Sequence, residues 1–180
     1  MKWVIMVVIL MMVISPVMWL KPSPRQRRHT QLRAMARSKG VEVARQEVPL
    51  HGVKGKMPAY RLRYPGEYPG PDFVLVRDAV ASAALARYTD GWRFRIAPLR
   101  PLPEAAKVQL EALVALLPDD VLMVQSSEVA LTLWWLESGT AERFAPCVEA
   151  AATLRDTLSG YADRPRVKPL ATPNVATKSR

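Results

Sequence analysis

Across residues 3–20 only Ser15 and Pro16 are not apolar, and no other stretch limits the fold of this chain so strongly. A helix rising about 1.5 Å per residue would make this run about 27 Å long, near the hydrocarbon thickness of a bilayer. It reads as a transmembrane anchor over residues 1–20. Trp3 and Trp19 stand near its two ends, where indole rings favour the headgroup boundary, and Lys2 and Lys21 lie outside them to snorkel. A cleaved secretory signal needs basic residues before the run and small residues at a cleavage site after it. Here the run ends Val17-Met18-Trp19-Leu20-Lys21 and the charge follows it, so an uncleaved signal-anchor is expected.

Orientation follows from the flanks. Lys21, Arg25, Arg27, Arg28, Arg33, Arg37 and Lys39 come after the run, with no acid before Glu42. By the positive-inside rule the remainder of the chain is expected in the cytoplasm and the amino terminus outside. The single cysteine, Cys147, excludes an intramolecular disulfide and agrees with a reducing compartment. The formal net charge is +10.

Ser23 and Pro24 read as the cap and first position of a basic juxtamembrane helix within residues 21–40, closed by Gly40, with Leu32, Met35 and Ala36 as a narrow apolar stripe. Lys21, Arg25, Arg27, Arg28, Arg33 and Arg37 are its candidate contacts with anionic lipid headgroups. The alternative is a solvated helix that only fixes topology.

Residues 41–161 read as one independently folding domain. Val41, Val43 and Val48 suggest a first strand, and Tyr60, Leu62 and Tyr64 alternate with Arg61 and Arg63 in a second. Residues 73–77 give a third. Asp78 is expected to cap a short alanine-rich helix reaching Tyr88. Trp92, Phe94 and Ile96 alternate with Arg93 and Arg95 in a further strand. A helix from Pro103 carries Ala106, Leu110, Leu113, Val114 and Leu117 on one face, and residues 121–136 read as a hairpin whose second strand is apolar on both faces. A last helix is expected to begin at Pro146, because proline inside an established helix removes a hydrogen bond. Residues 162–180 are basic, hold proline and few aromatics, and are expected to be a disordered tail. The fold class is α+β: an N-terminal transmembrane helix, then a small cytoplasmic domain with a mostly antiparallel sheet and two main helices.

The sequence offers little chemistry. In Gly52-Val53-Lys54-Gly55-Lys56-Met57 the places of a phosphate-binding loop's first glycine and its Ser or Thr hold Leu50 and Met57. His29 and His51 lack Cys or acidic neighbours at ligand spacing. Asp119 and Asp120 suit a turn better than a pair of catalytic carboxylates, and Cys147 lies on an apolar stripe. No catalytic residue, cofactor or metal site is expected. The pattern least like ordinary core is the two arginine-interleaved strands. Arg61, Arg63, Arg93 and Arg95 would share one sheet face able to meet anionic lipid, an acidic partner or RNA, unless that face is simply solvated.

Residues 1–55 resemble the YajC-like single-pass accessory subunit of the bacterial preprotein translocase. The likeness lies in the apolar span, the exit Pro22-Ser23-Pro24, the basic helix from Arg25-Gln26-Arg27-Arg28-His29 to Lys39-Gly40, and Val41-Glu42-Val43 with Gly52-Val53-Lys54-Gly55. It implies a cytoplasmic C-terminus and association with protein export. The expectation is therefore a single-pass protein of the bacterial inner membrane whose cytoplasmic domain is a non-enzymatic interaction module. Its partners would be the bilayer, anionic headgroups and a membrane protein, rather than nucleic acid. Export accessory is the alternative and membrane-tethered enzyme the third reading.

Overall fold

The computed structural model describes residues 2–19, 23–50, 53 and 55–163. Its first helix, α1, is Lys2–Trp19, and the described side chains at residues 2–9 and 11 are exposed. The expected transmembrane anchor is corrected here, because among the described residues no helix is long and apolar enough to cross a membrane. Helix α1 holds 18 residues with Lys2, Ser15 and Pro16 among them, fewer apolar residues than the roughly 20 of an average span. The fold class built on that anchor, the single-pass inner-membrane localisation and the cytoplasmic orientation are corrected with it.

Among the described residues seven strands form one antiparallel sheet: β1 Glu42–Glu47, β2 Lys56–Arg63, β3 Phe73–Arg77, β4 Ala86–Thr89, β5 Trp92–Ile96, β6 Val121–Ser126 and β7 Ala130–Trp135. Their spatial order is β1-β2-β7-β6-β3-β5-β4. The β6–β7 hairpin sits inside the sheet, with β7 buried along its whole length and β2 paired to it through Tyr60 opposite Leu133. Strand residues alternate between faces. Tyr60, Leu62, Phe73, Leu75, Trp92, Leu131 and Leu133 meet the helices on one side. On the other, Met57, Ala59, Val74, Val76, Met123 and Trp134 lie under Val48, Leu50, Val53 and Val80.

Three helices cover the first face: α2 Pro24–Ser38, α3 Glu104–Leu116 and α4 Ala141–Leu158. Ser23 caps α2 in a reciprocal box with Gln26, and Gly40 beyond its end takes a φ of +76° that glycine adopts without strain. Leu32 and Ala36 are fully buried in the same core as the sheet and α4, so α2 packs into the domain rather than lying apart from it. Leu110, Leu113, Cys147, Val148, Ala151, Leu154 and Leu158 supply the buried stripes of α3 and α4.

Two local expectations differ from the structure. The segment after Asp78 makes only a 3-10 turn, Asp78–Val80, and then the edge strand β4. Tyr88 packs edge-on against Phe94 at 4.7 Å across that pairing, which a helix would not allow. Helix α4 begins at Ala141, with Pro146 inside it. Pro146 is exposed, and the carbonyl that goes without its amide belongs to Glu142, also an exposed residue, in the first turn of α4. The expected tail is described only at Ala162 and Asp163; residues 164–180 lie outside the described residues, as do Lys21 and His51.

Candidate functional site

The loop between β7 and α4 joins two unlike environments. Leu133 and Trp135 tie β7 into the core, and the chain must then turn outward to start α4. Glu137 makes that turn at φ +62°, a left-handed conformation that a glutamate adopts only at a cost. It is nevertheless buried, and its carboxylate points inward. Arg33 of α2 grips it in two parallel bonds, Nε to Oε1 at 2.8 Å and Nη2 to Oε2 at 2.7 Å. The Tyr60 hydroxyl donates to Oε1 at 2.7 Å, and His29 Nδ1 lies 3.0 Å from Oε2. Burial pushes the Glu137 carboxyl up, but the bonds from Arg33 and Tyr60, with the charges of Arg33 and His29, outweigh it and hold the group below the usual carboxylate range. Tyr60 is pushed well above the ordinary phenol range by burial and by its bond to that carboxylate.

Outside this loop lies a cleft of about 580 Å³, lined by the end of α3, the turn Pro118-Asp119-Asp120, Trp135, Ser138-Gly139-Thr140, Arg143 and Phe144. Each wall is held from behind. Arg77 donates to the carbonyls of Pro118 at 2.8 Å, Val121 at 3.0 Å and Leu117 at 3.3 Å, capping the C-terminal end of α3, and its guanidinium lies 4.7 Å from the Trp92 ring centre. Asp120 Oδ2 accepts the Ser138 amide at 2.9 Å, and its carbonyl accepts that of Leu136 at 3.2 Å. Trp135 stacks on Phe144 with ring centres 3.9 Å apart. Cys147 is buried, its thiol donates to the Leu116 carbonyl at 3.4 Å, and burial pushes its pKa up, the state of an inert thiol.

Arg61, Arg63, Arg93 and Arg95 do project from one sheet face, opposite the helices, but not as one patch. Strands β2 and β5 are four steps apart in the sheet, about 19 Å. Arg63 is bound to Glu42 at 2.6 Å. Arg93 binds Asp78 at 3.0 Å and the carbonyls of Ala83 and Leu85, and Arg95 donates to the Pro49 carbonyl. In α2, Arg25, Arg27, Arg28 and Arg37 are exposed, whereas Arg33 is spent on Glu137. Sequence reading had left His29 without an acidic neighbour and had passed over Glu137, Arg77 and Tyr60 as polar groups. The local signal for Glu137 is a lone acid directly after a strand apolar on both faces.

No family model matches the chain, and no curated protein matches it. Among solved structures the chain is similar to a crystal structure of the mycobacterial trehalose monomycolate transport factor A, with 9% sequence identity and a TM-score of 0.41, over 72% of this chain and 94% of that one. A likeness at this level carries over no activity.

Proposed function

We propose that this chain is a non-enzymatic interaction module that binds an acidic protein surface through the start of α2. The observation that carries this reading is the placement of Arg25, Arg27 and Arg28. They occupy the first turns of α2, where no acidic residue accompanies them, and all three are exposed. Cations at a helix N-terminus oppose the positive end of the helix dipole. Among the described residues none of the three makes an ion pair, in contrast to Arg33, Arg63 and Arg93. An acidic partner would relieve that repulsion as it bound. The buried groups that could do chemistry are otherwise engaged, Glu137 by Arg33 and Tyr60, and Cys147 by the Leu116 carbonyl.

The test is titration of the full chain with polyglutamate at low and high salt, alongside R25Q/R27Q/R28Q. The wild type should bind and weaken with salt, and the triple variant should bind at least about tenfold more weakly while melting at a higher temperature. Equal binding by both proteins would remove α2 from the interface. Binding to anionic vesicles without binding to polyglutamate would overturn the protein-partner reading in favour of lipid.

A further inference from the structure

Among the described residues, two loops cover the sheet face opposite the helices. The first follows β1 and brings Val48 and Leu50; the second runs from Asp78 to Leu85 and brings Val80 and Ala81. A slot of about 200 Å³ remains between them. Val76 of β3 is its floor. Leu50 lines it from the first loop, and Val80, Ala81 and Leu85 line it from the second. Val76 and Leu50 are buried, whereas Ser82 and Arg95, which complete the lining, are exposed and so mark the mouth.

The second loop is held in shape. Arg93 binds Asp78 at 3.0 Å and the carbonyls of Ala83 at 3.1 Å and Leu85 at 3.0 Å, which ties the start of the loop to its end. Within it the Ala81 amide donates to the Asp78 carbonyl at 3.3 Å and the Leu85 amide to the Ser82 carbonyl at 3.1 Å. The slot is therefore built into the fold. Its aliphatic walls offer water few partners, and no acid lines it. Arg93 spends its charge on Asp78. Arg95, two residues on, has no acidic partner among the described residues and donates to the Pro49 carbonyl, which leaves most of its guanidinium N–H groups to give.

We propose that this slot binds a medium-chain aliphatic carboxylate. Its tail would lie over Val76, between Leu50 and Leu85, and its carboxylate at the mouth would accept from Arg95 and from the Ser82 hydroxyl. Ser82 Oγ accepts the Ala84 amide at 3.4 Å and keeps its own proton to donate. Charge and surface together decide the class. A cation would meet Arg95 with no acid to offset it, and a small polar anion would leave the aliphatic walls wet, whereas a carboxylate with an alkyl tail satisfies both ends. Volume sets the length. At about 30 Å³ for each water-sized unit the slot holds about six or seven carbons, which suits one short chain and is too little for a two-chain lipid. The slot lies on the sheet face away from α2, so either proposal can fail without the other.

The experiment titrates the full chain with sodium octanoate by calorimetry, below the concentration at which octanoate forms micelles. Binding should saturate. Across acetate, butanoate, hexanoate, octanoate and decanoate, affinity should rise about fourfold for each methylene that the slot buries and level off near octanoate. Uncharged 1-octanol should bind at least about tenfold more weakly than octanoate. Arg95→Gln should weaken octanoate by a similar factor, and Arg95→Lys, which keeps the charge, by less. Ala81→Phe should fill the slot and abolish binding; Arg95 is exposed, so its variants keep the fold and decide the matter if the Ala81 variant does not fold. Absence of saturable binding, affinity that keeps climbing through decanoate, octanol that binds as tightly as octanoate, or octanoate affinity unchanged in Arg95→Gln would overturn the proposal, the last three by placing the tail on other apolar surface such as the exposed side chains of α1.

Discussion

The Tyr60 hydroxyl donates to Glu137 Oε1 across 2.7 Å, bonding β2 to the loop that leaves β7. Arg33 reaches the same carboxylate from α2, so helix, strand and loop meet at one charge.

Removing that charge should loosen all three. Glu137→Gln keeps the shape but loses the ion pair, and because Arg33 is partly exposed the cost should be about 2–3 kcal/mol. Arg33→Gln, which leaves the carboxylate buried without its cation, should cost more, about 3–5 kcal/mol. Denaturant unfolding of the two variants checks the order, and equal stabilities would refute the account of the network.

Stability should fall on both sides of neutrality, for opposite reasons. The Glu137 carboxyl is held below its ordinary 4.5 in the fold, so its contribution is complete above that value and is lost as pH drops through the folded pKa. Tyr60 is raised from 10 by burial, and Tyr64 is pushed up to about 12 by burial. Their contribution is complete below pH 10 and declines as pH rises above it. Glu137→Gln should therefore lose less stability than wild type as pH falls below 4.5, and, because it also removes the carboxylate that helps to raise Tyr60, its alkaline decline should be smaller, with the part due to Tyr64 unchanged. Denaturant midpoints across that range, with phenolate absorbance for the alkaline side, give the comparison.

Pro146→Ala should stabilise the chain. The alanine amide can bond within α4 and the ring no longer crowds the preceding turn, worth about 1–3 kcal/mol. A melting temperature unchanged or lowered would mean that Pro146 sets the helix geometry on which Phe144 and Cys147 rely.

Sequence periodicity reaches what is local. The alternations at 60–64 and 92–96 are strands, the stripe from Ala106 to Val114 is the buried face of α3, and Ser23-Pro24 opens α2. It fails where partners come from afar. Arg33 is 104 positions from Glu137 and Tyr60 is 77, and no period connects them. Alanine content after Asp78 suggested a helix, but pairing with β5 and the contact between Tyr88 and Phe94 outweigh that propensity. Pro146 misled because the burial of Phe144, Cys147 and Val148 around it outweighs the one hydrogen bond and the crowding that an internal proline costs. The run at residues 3–20 misled because its composition and length were read together as a span, whereas among the described residues no helix is long and apolar enough to be one.

The pairing of β2 with β7 has a kinetic consequence. Ala59 lies opposite Trp134, so β2 must wait until more than half of the chain has left the ribosome, in seconds at about 5–20 residues per second. Until then the β1–β2 hairpin has only its local partner, and the inner edge of β2, with Leu62 and Tyr60, lacks its native neighbour. Closure across so long a separation makes folding slow for the domain's size, and the nascent chain is most open to mispairing just before β7 emerges.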